Sequence, residues 1–233
     1  MKLKECLLNL LYPPRCPLCG KLQREEGLCP DCQKGDHFVQ EEDGVQQLSA
    51  RLRCASPLYY EGVVREGLLR FKFRGGRASA RPFGELLASC AAEHYAGEFQ
   101  LVTWVPVSKK RKRERGYDQG ELLAKAACRL WDTKPERLLQ KTQHNPAQSG
   151  IKDAAERRAN VLGVYELMQE EKIAGKGILL MDDICTTGAT LQECARMLYS
   201  GGARSVMAVT VARKRGKAGP HGGSTQEKGT KDG

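Results

Sequence analysis

Between Ile178 and Thr190 the chain reads Ile-Leu-Leu-Met-Asp-Asp-Ile-Cys-Thr-Thr-Gly-Ala-Thr, setting two carboxylates, Asp182 and Asp183, just before a small hydroxylated loop. Adjacent carboxylates can accept hydrogen bonds from vicinal hydroxyls such as a sugar presents. A loop of Thr186, Thr187, Gly188, Ala189 and Thr190 leading into a helix can turn successive backbone N–H groups toward a phosphate, and the helix N-terminus adds positive potential. Diol and phosphate together describe a ribose 5-phosphate. The plain alternative, a polar turn between a strand and a helix, gives neither acid a structural duty. The chain has no Gly-x4-Gly-Lys-Ser/Thr loop and no Gly-x-Gly-x2-Gly turn, which argues against ATPase and dinucleotide readings.

A second group is Cys16-Pro-Leu-Cys19-Gly and Cys29-Pro-Asp-Cys32. Each pair can form a knuckle that aims two thiolates at one point, with Gly20 allowing the tight turn. Two knuckles supply the four tetrahedral sulfurs that structural zinc prefers, in preference to disulfides or free thiols, and leave no position for a reactive water. Zinc is therefore expected to fold this short stretch, which has too little core of its own. The spacing does not choose among nucleic-acid reading, protein docking and simple stapling. The other cysteines, at 6, 54, 90, 128, 185 and 194, lie singly in apolar or helical contexts and read as packing residues.

The elements that must carry these groups alternate. A first amphipathic helix with Leu3, Leu7, Leu10 and Leu11 on one side resembles a signal peptide only superficially, since Glu5 and Asn9 interrupt it, and a cytoplasmic location is expected. The domain organisation expected is a helix and four-cysteine zinc-ribbon module over 1–35, an acidic, glutamine-rich connector over 36–50, an α/β domain over 51–212 and a disordered basic tail over 213–233. Within the domain, strands are expected at 58–60, 101–107, 161–168, 177–181 and 206–212, and helices at 63–73, 82–96, 119–131 and 190–200. Strands alternating with helices imply a mostly parallel sheet with helices on both faces. The strand at 177–181 would deliver the acid pair at its C-terminal end, where ligands collect in open α/β sheets.

Charge adds direction. Of the net +10, the run Lys109 to Arg115 holds +5 and the segment from Arg213 to Gly233 holds +4, so the remaining body is almost neutral. Two basic segments on a neutral body point to polyanion contacts, through a phosphorylated ligand, nucleic acid or both.

The thirteen residues from Ile178 resemble the signature by which type I phosphoribosyltransferases bind 5-phosphoribosyl-1-pyrophosphate (PRPP). Apart from its tail, the chain resembles the ComF family of bacterial competence-related proteins, in which a cysteine-rich zinc module precedes a type I phosphoribosyltransferase-like domain. Supporting motifs are Phe71-Lys72-Phe73-x-Gly75, Val105-Pro106-Val107 followed by Arg115-Gly116-Tyr117-Asp118-Gln119, and Gln148 through Ile151 leading to Arg157-x-x-Asn160. Asp118 stands where the family usually has Asn, and Ile151 where it usually has Leu. The resemblance implies that Asp182 and Asp183 hold the ribose and act as the catalytic pair, and that Thr186 to Thr190 hold the 5-phosphate. It also implies that the loop after Pro106 faces pyrophosphate with Mg²⁺, through Ser108, Lys109, Lys110 and Arg115, while Arg157 and Asn160 belong to a segment closing over the site. Two functions follow from it: handling of single-stranded DNA during DNA uptake, with a competence helicase as partner, or transfer of ribose 5-phosphate from PRPP to a nucleobase-like acceptor. A ligand-controlled regulator that kept the fold and lost the reaction is a third, weaker reading.

Overall fold

The computed structural model describes residues 13–73, 76–142 and 163–215. The first helix and the segment carrying Arg157 and Asn160 lie outside them. The polypeptide enters through a turn in which the Cys16 N–H donates to Lys21 O and the Gly20 N–H to Cys16 O, both at 2.9 Å. A short helix, α1 (Pro30–Gln33), begins with Pro at its first position, where no N–H is needed.

Part of the acidic connector is a strand rather than a linker: β1 (Val45–Ser49) runs antiparallel to β2 (Leu52–Ala55) at the edge of the main sheet. Only alternate residues of β1 are partly covered, so its polar composition is what an edge allows. β2 and β3 (Leu58–Tyr59) share one register beside the last strand, with Ala55 opposite Val209 and Leu58 opposite Ala212. The ladder breaks at Ser56-Pro57, where proline has no N–H to give.

Then follow α2 (Gly62–Phe73), α3 (Ala80–Tyr95), β4 (Leu101–Trp104), α4 (Lys109–Arg115) and α5 (Gln119–Cys128). β5 (Leu139–Lys141) and β6 (Tyr165–Leu167) form a separate antiparallel pair. A short α6 (Glu170–Ile173) leads to β7 (Gly177–Cys185), α7 (Ala189–Ser200) and β8 (Ser205–Arg213). The main sheet has the order β1-β2-β8-β7-β4, parallel except at β1. This is the expected mostly parallel architecture with helices on both faces.

Three departures from the sequence reading have local causes. The run from Lys109 is helical, although it has no apolar stripe, because Ser108 caps its start by accepting from the Arg111 N–H and Gly116 closes it at φ 77°. The helix expected to reach Trp131 turns to 3-10 geometry over Arg129–Trp131. The segment expected to be a disordered tail is ordered at its start: β8 includes Arg213, whose guanidinium donates to Asp43 O at 2.6 Å, and Arg215 pairs with Glu61 at 2.7 Å.

β7 divides the core. Leu179 and Met181 pack with Val64, Leu68 and Phe71 of α2, with Phe83 and Leu87 of α3, and with Leu123 of α5. Ile178 and Leu180 pack on the other face, with Leu191, Cys194 and Leu198 of α7 and with Leu139 and Tyr165 of the small pair. Cys54, Cys90, Cys128, Cys185 and Cys194 are all buried, as packing residues should be; Cys6 lies outside the described residues.

The cysteine module is docked on α2. Leu18 is fully buried and shares the core of α2 and α3, which stabilises docking by roughly 1.5–3 kcal/mol. The Arg70 guanidinium donates to the carbonyls of Pro17 and Leu18. Gly67 is required at this contact, since a Cβ there would lie 2.4 Å from Pro17 O. Gly67→Ala is therefore expected to lift the module off the helix and cost about 1–3 kcal/mol, as overpacking does. Thermal denaturation of the zinc-loaded protein checks this, and an unchanged midpoint contradicts it.

Candidate functional site

The four sulfurs of Cys16, Cys19, Cys29 and Cys32 all lie within 4.8 Å of one another, and Cys19 and Cys29 are 3.6 Å apart. Tetrahedral zinc with bonds of about 2.3 Å sets its sulfurs roughly 3.8 Å apart, so the group fits the ion. Burial alone would raise the Cys16 thiol, yet backbone N–H groups of Cys19, Cys29 and Leu18 bring it down to about 7. This is the stabilisation a metal-bound thiolate needs. All four groups are protein-supplied, so zinc here would serve structure.

The acid pair meets the last turn of α2 at Lys72, two residues beyond the Arg70 that holds the cysteine module. β4 pairs with β7 only as far as Trp104 opposite Met181, and the next two residues of β7 are Asp182 and Asp183. Successive strand residues point to opposite faces. Asp183 accordingly turns to the α2 side, where Lys72 Nζ meets its Oδ1 at 2.9 Å. Asp182 turns to the other side, into the electrostatic neighbourhood of Lys141, Tyr165 and Cys194. The Asp183 N–H donates to Asp182 Oδ1 at 2.8 Å. Burial pushes the Asp182 carboxyl well above its ordinary range, the Asp183 charge pushes it further, and Lys72 opposes both.

The loop expected to take phosphate follows at once. Gly188 adopts φ 73° as the cap of α7, a conformation that favours glycine, and its Cα faces Leu48 of β1 closely enough that a Cβ would sit 2.8 Å from that side chain. Gln192 of α7 donates to Leu48 O at 2.6 Å, and the Thr187 hydroxyl accepts from the Ala189 N–H at 3.4 Å. The edge strand hidden in the acidic connector thus braces the loop, a positioning role with no trace in its composition.

On the side expected to face pyrophosphate, Ser108 is buried as the cap of α4, while Lys109 and Lys110 are exposed. With Gln140, Lys141 and Thr142 they line a cavity of about 310 Å³. Burial lowers the Arg115 guanidinium while the Asp183 charge supports it, and its Cζ lies 4.8 Å from the Phe73 ring. The structure therefore puts Arg115 within the electrostatic reach of Asp183, without an ion pair between them, and gathers Ser108, Lys109 and Lys110 around the cavity. Asp118, in place of the family's Asn, is 5% exposed, and both its oxygens accept backbone hydrogen bonds, from Val107 N at 3.1 Å and Glu121 N at 3.2 Å. Its carboxylate ties the turn after β4 to the start of α5. Two further cations were missed as site residues: Lys72, although its motif is visible in the sequence, and Lys141, which opens a polar stretch and carries no pattern.

Residues 7–43 match the family described as the double zinc ribbon domain, and residues 121–226 match the phosphoribosyl transferase domain. Competence protein ComFC of Bacillus subtilis (strain 168) is 30% identical over 207 residues, covering 85% of this chain and 77% of that protein. The chain belongs to the ComF family. Its Streptococcus pneumoniae (strain ATCC BAA-255 / R6) relative, also named competence protein ComFC, is 28% identical over 198 residues, covering 85% of this chain and 80% of that one. The DNA utilization protein YhgH of Escherichia coli (strain K12) is 27% identical over 214 residues, with coverage of 85% and 89%. Among the described residues, no helix is long and apolar enough to cross a membrane.

In this ComF family member the raised pKa of Asp182 has a consequence for stability. A carboxyl whose folded pKa exceeds its unfolded value of about 3.9 favours folding when protonated, and its contribution is lost as pH rises through the folded pKa. Asp182→Asn removes that penalty. The ligand-free variant is expected to melt above wild type at pH 7, with the gap closing toward pH 4; equal or lower melting at pH 7 contradicts the assignment.

Proposed function

We propose that the segment Ile178 to Thr190 binds PRPP with Mg²⁺, and that this ComF family protein uses that site while handling single-stranded DNA during competence, in the cytoplasm and with a competence helicase as partner. The observation that carries the ligand reading is the continuity of the acid pair at the end of β7 with the Gly188 loop that caps α7. Asp182 and Asp183 would accept hydrogen bonds from the ribose hydroxyls, and Thr186, Thr187, Gly188, Ala189 and Thr190 would surround the 5-phosphate at the helix N-terminus. Ser108, Lys109, Lys110 and Arg115 would face the pyrophosphate, and Mg²⁺ bound with it would neutralise part of its charge. The sequence reading places Arg157 on this side as well. Calorimetric titration of the zinc-loaded protein with PRPP and Mg²⁺ should give a single binding event that the Asp182→Asn, Asp183→Asn double variant loses. Absence of binding by wild type contradicts the reading.

The DNA reading is supported by the names of the relatives and by α4. Among the described residues, Lys109, Lys110 and Arg113 form no ion pair, whereas Lys112 is engaged with Glu121 at 3.1 Å. Phosphate contacts dominate binding of nucleic acid without sequence preference. Replacing Lys109, Lys110 and Arg113 with glutamine should weaken oligonucleotide binding and make the log–log salt slope shallower by about 2, at roughly 0.7 per phosphate contact on a single strand. An unchanged slope contradicts a role for α4.

The cavity beside Lys141 favours a second reading, transfer of ribose 5-phosphate to a nucleobase-like acceptor. In that reaction the C1–O bond to pyrophosphate breaks as the acceptor nitrogen bonds to C1, and the chain's contribution is positioning and stabilisation of the leaving anion. Pyrophosphate release that depends on one acceptor supports it. PRPP binding without turnover across a panel of bases contradicts it.

A further inference from the structure

Phe73 is the last residue of α2 and is 63% exposed, the most exposed large hydrophobic side chain among the described residues. The other phenylalanines do not share this position: Phe71 and Phe83 are buried, and Phe38 and Phe99 pack against the core. On α2 the inward face is set by Val64, Leu68 and Phe71. Phe73, two residues beyond Phe71, falls about 200° around the helix and cannot join them. An isolated exposed apolar residue is common on protein surfaces. Its surroundings here are not.

The Arg115 guanidinium covers one part of the Phe73 ring at 4.8 Å. Beside it, Arg77 lies over the buried Tyr117 ring at 5.1 Å and donates to Gly116 O at 2.8 Å, so one guanidinium fixes the turn after α4. Tyr117 in turn donates to Phe71 O, which locks that turn to the end of α2. The exposed aromatic therefore stands on a rigid base. The preceding residue, Lys72, is the one that meets Asp183, so the ring stands one residue, about 100° around the helix, from the side chain that reaches the acid pair.

We infer that Phe73 is a stacking platform for a base of single-stranded nucleic acid whose phosphates run along α4. This rests on the single-strand reading above and names the contact that charge alone does not provide. The length of α4 selects a strand over a free base: seven residues span about 10 Å at 1.5 Å per residue. A stacked strand carries one phosphate per about 3.4 Å, so the helix faces roughly three of them. Aromatic stacking beside a basic track is how proteins hold single strands without reading sequence, and a guanidinium against the ring is compatible with it.

The test uses the full, zinc-loaded chain and fluorescence anisotropy with two probes of equal length, an oligothymidylate and an abasic deoxyribose-phosphate strand. Phe73→Ala should weaken the oligothymidylate complex by about 5- to 150-fold, leave the abasic complex and both salt slopes unchanged, and be rescued by Phe73→Trp. Equal loss on both probes, or no loss on either while wild type binds, overturns the stacking role and leaves the single-strand reading standing. Failure of wild type to bind either probe overturns that reading and this inference with it. A variant that keeps oligothymidylate affinity but loses acceptor-dependent pyrophosphate release assigns the ring to an acceptor base and overturns the strand as its occupant.

Discussion

The contact on which the arrangement turns is the ion pair between Lys72 and Asp183, 2.9 Å long at the mouth of the sheet. Two carboxylates on consecutive residues at the end of a buried strand repel each other in a medium that screens poorly. Lys72 supplies the counter-charge from the neighbouring helix. Because it comes from α2, the same helix that receives the cysteine module through Gly67 and Arg70, the acid pair and the zinc module both contact the C-terminal half of one helix. Zinc that folds the module thereby braces the helix whose Lys72 faces the acids.

That arrangement makes functional sense of a local cost. Burial and a like charge disfavour ionised Asp182 in the ligand-free protein, and proteins retain such groups where a ligand uses them. The proposed ligand, with hydroxyl donors and a divalent cation, would offer both acids new partners and would leave Lys72 free to turn toward an anion. The Asp183 charge also supports the half-buried Arg115 guanidinium. Under the proposed reading, the Lys72–Asp183 contact is the one a phosphorylated sugar would have to exchange.

Much of this was legible in the sequence because the chemistry is local. The acid pair, the Gly188 loop and the two cysteine knuckles each need contiguous residues with particular side chains, and contiguity is what a single sequence displays. The parallel sheet followed from apolar runs such as Ile178 to Met181. What escaped depends on distant partners or on caps. β1 is read as a connector because Val-Gln-Gln-Leu-Ser has few apolar groups, and only pairing with β2 makes it a strand. β5 finds its partner β6 more than twenty residues later. α4 has no hydrophobic period, and its caps, Ser108 before it and Gly116 after it, show only in the folded chain. Asp118 is visible only as a departure from the family's Asn, and its two backbone N–H partners appear only in the fold. Lys72 and Lys141 were missed as site residues because their roles exist only once α2 and the β5–β6 pair are folded against β7.

The central claim is that Asp182, Asp183 and the Gly188 loop form one ligand cradle held by Lys72. A crystal structure of the zinc-loaded protein with PRPP and Mg²⁺ tests it most directly. The account predicts ribose hydroxyls within hydrogen-bonding distance of the two aspartates, the 5-phosphate against residues 186–190, and the Lys72–Asp183 distance lengthened from 2.9 Å. Ligand seated elsewhere, with the Lys72–Asp183 pair still closed, would contradict it.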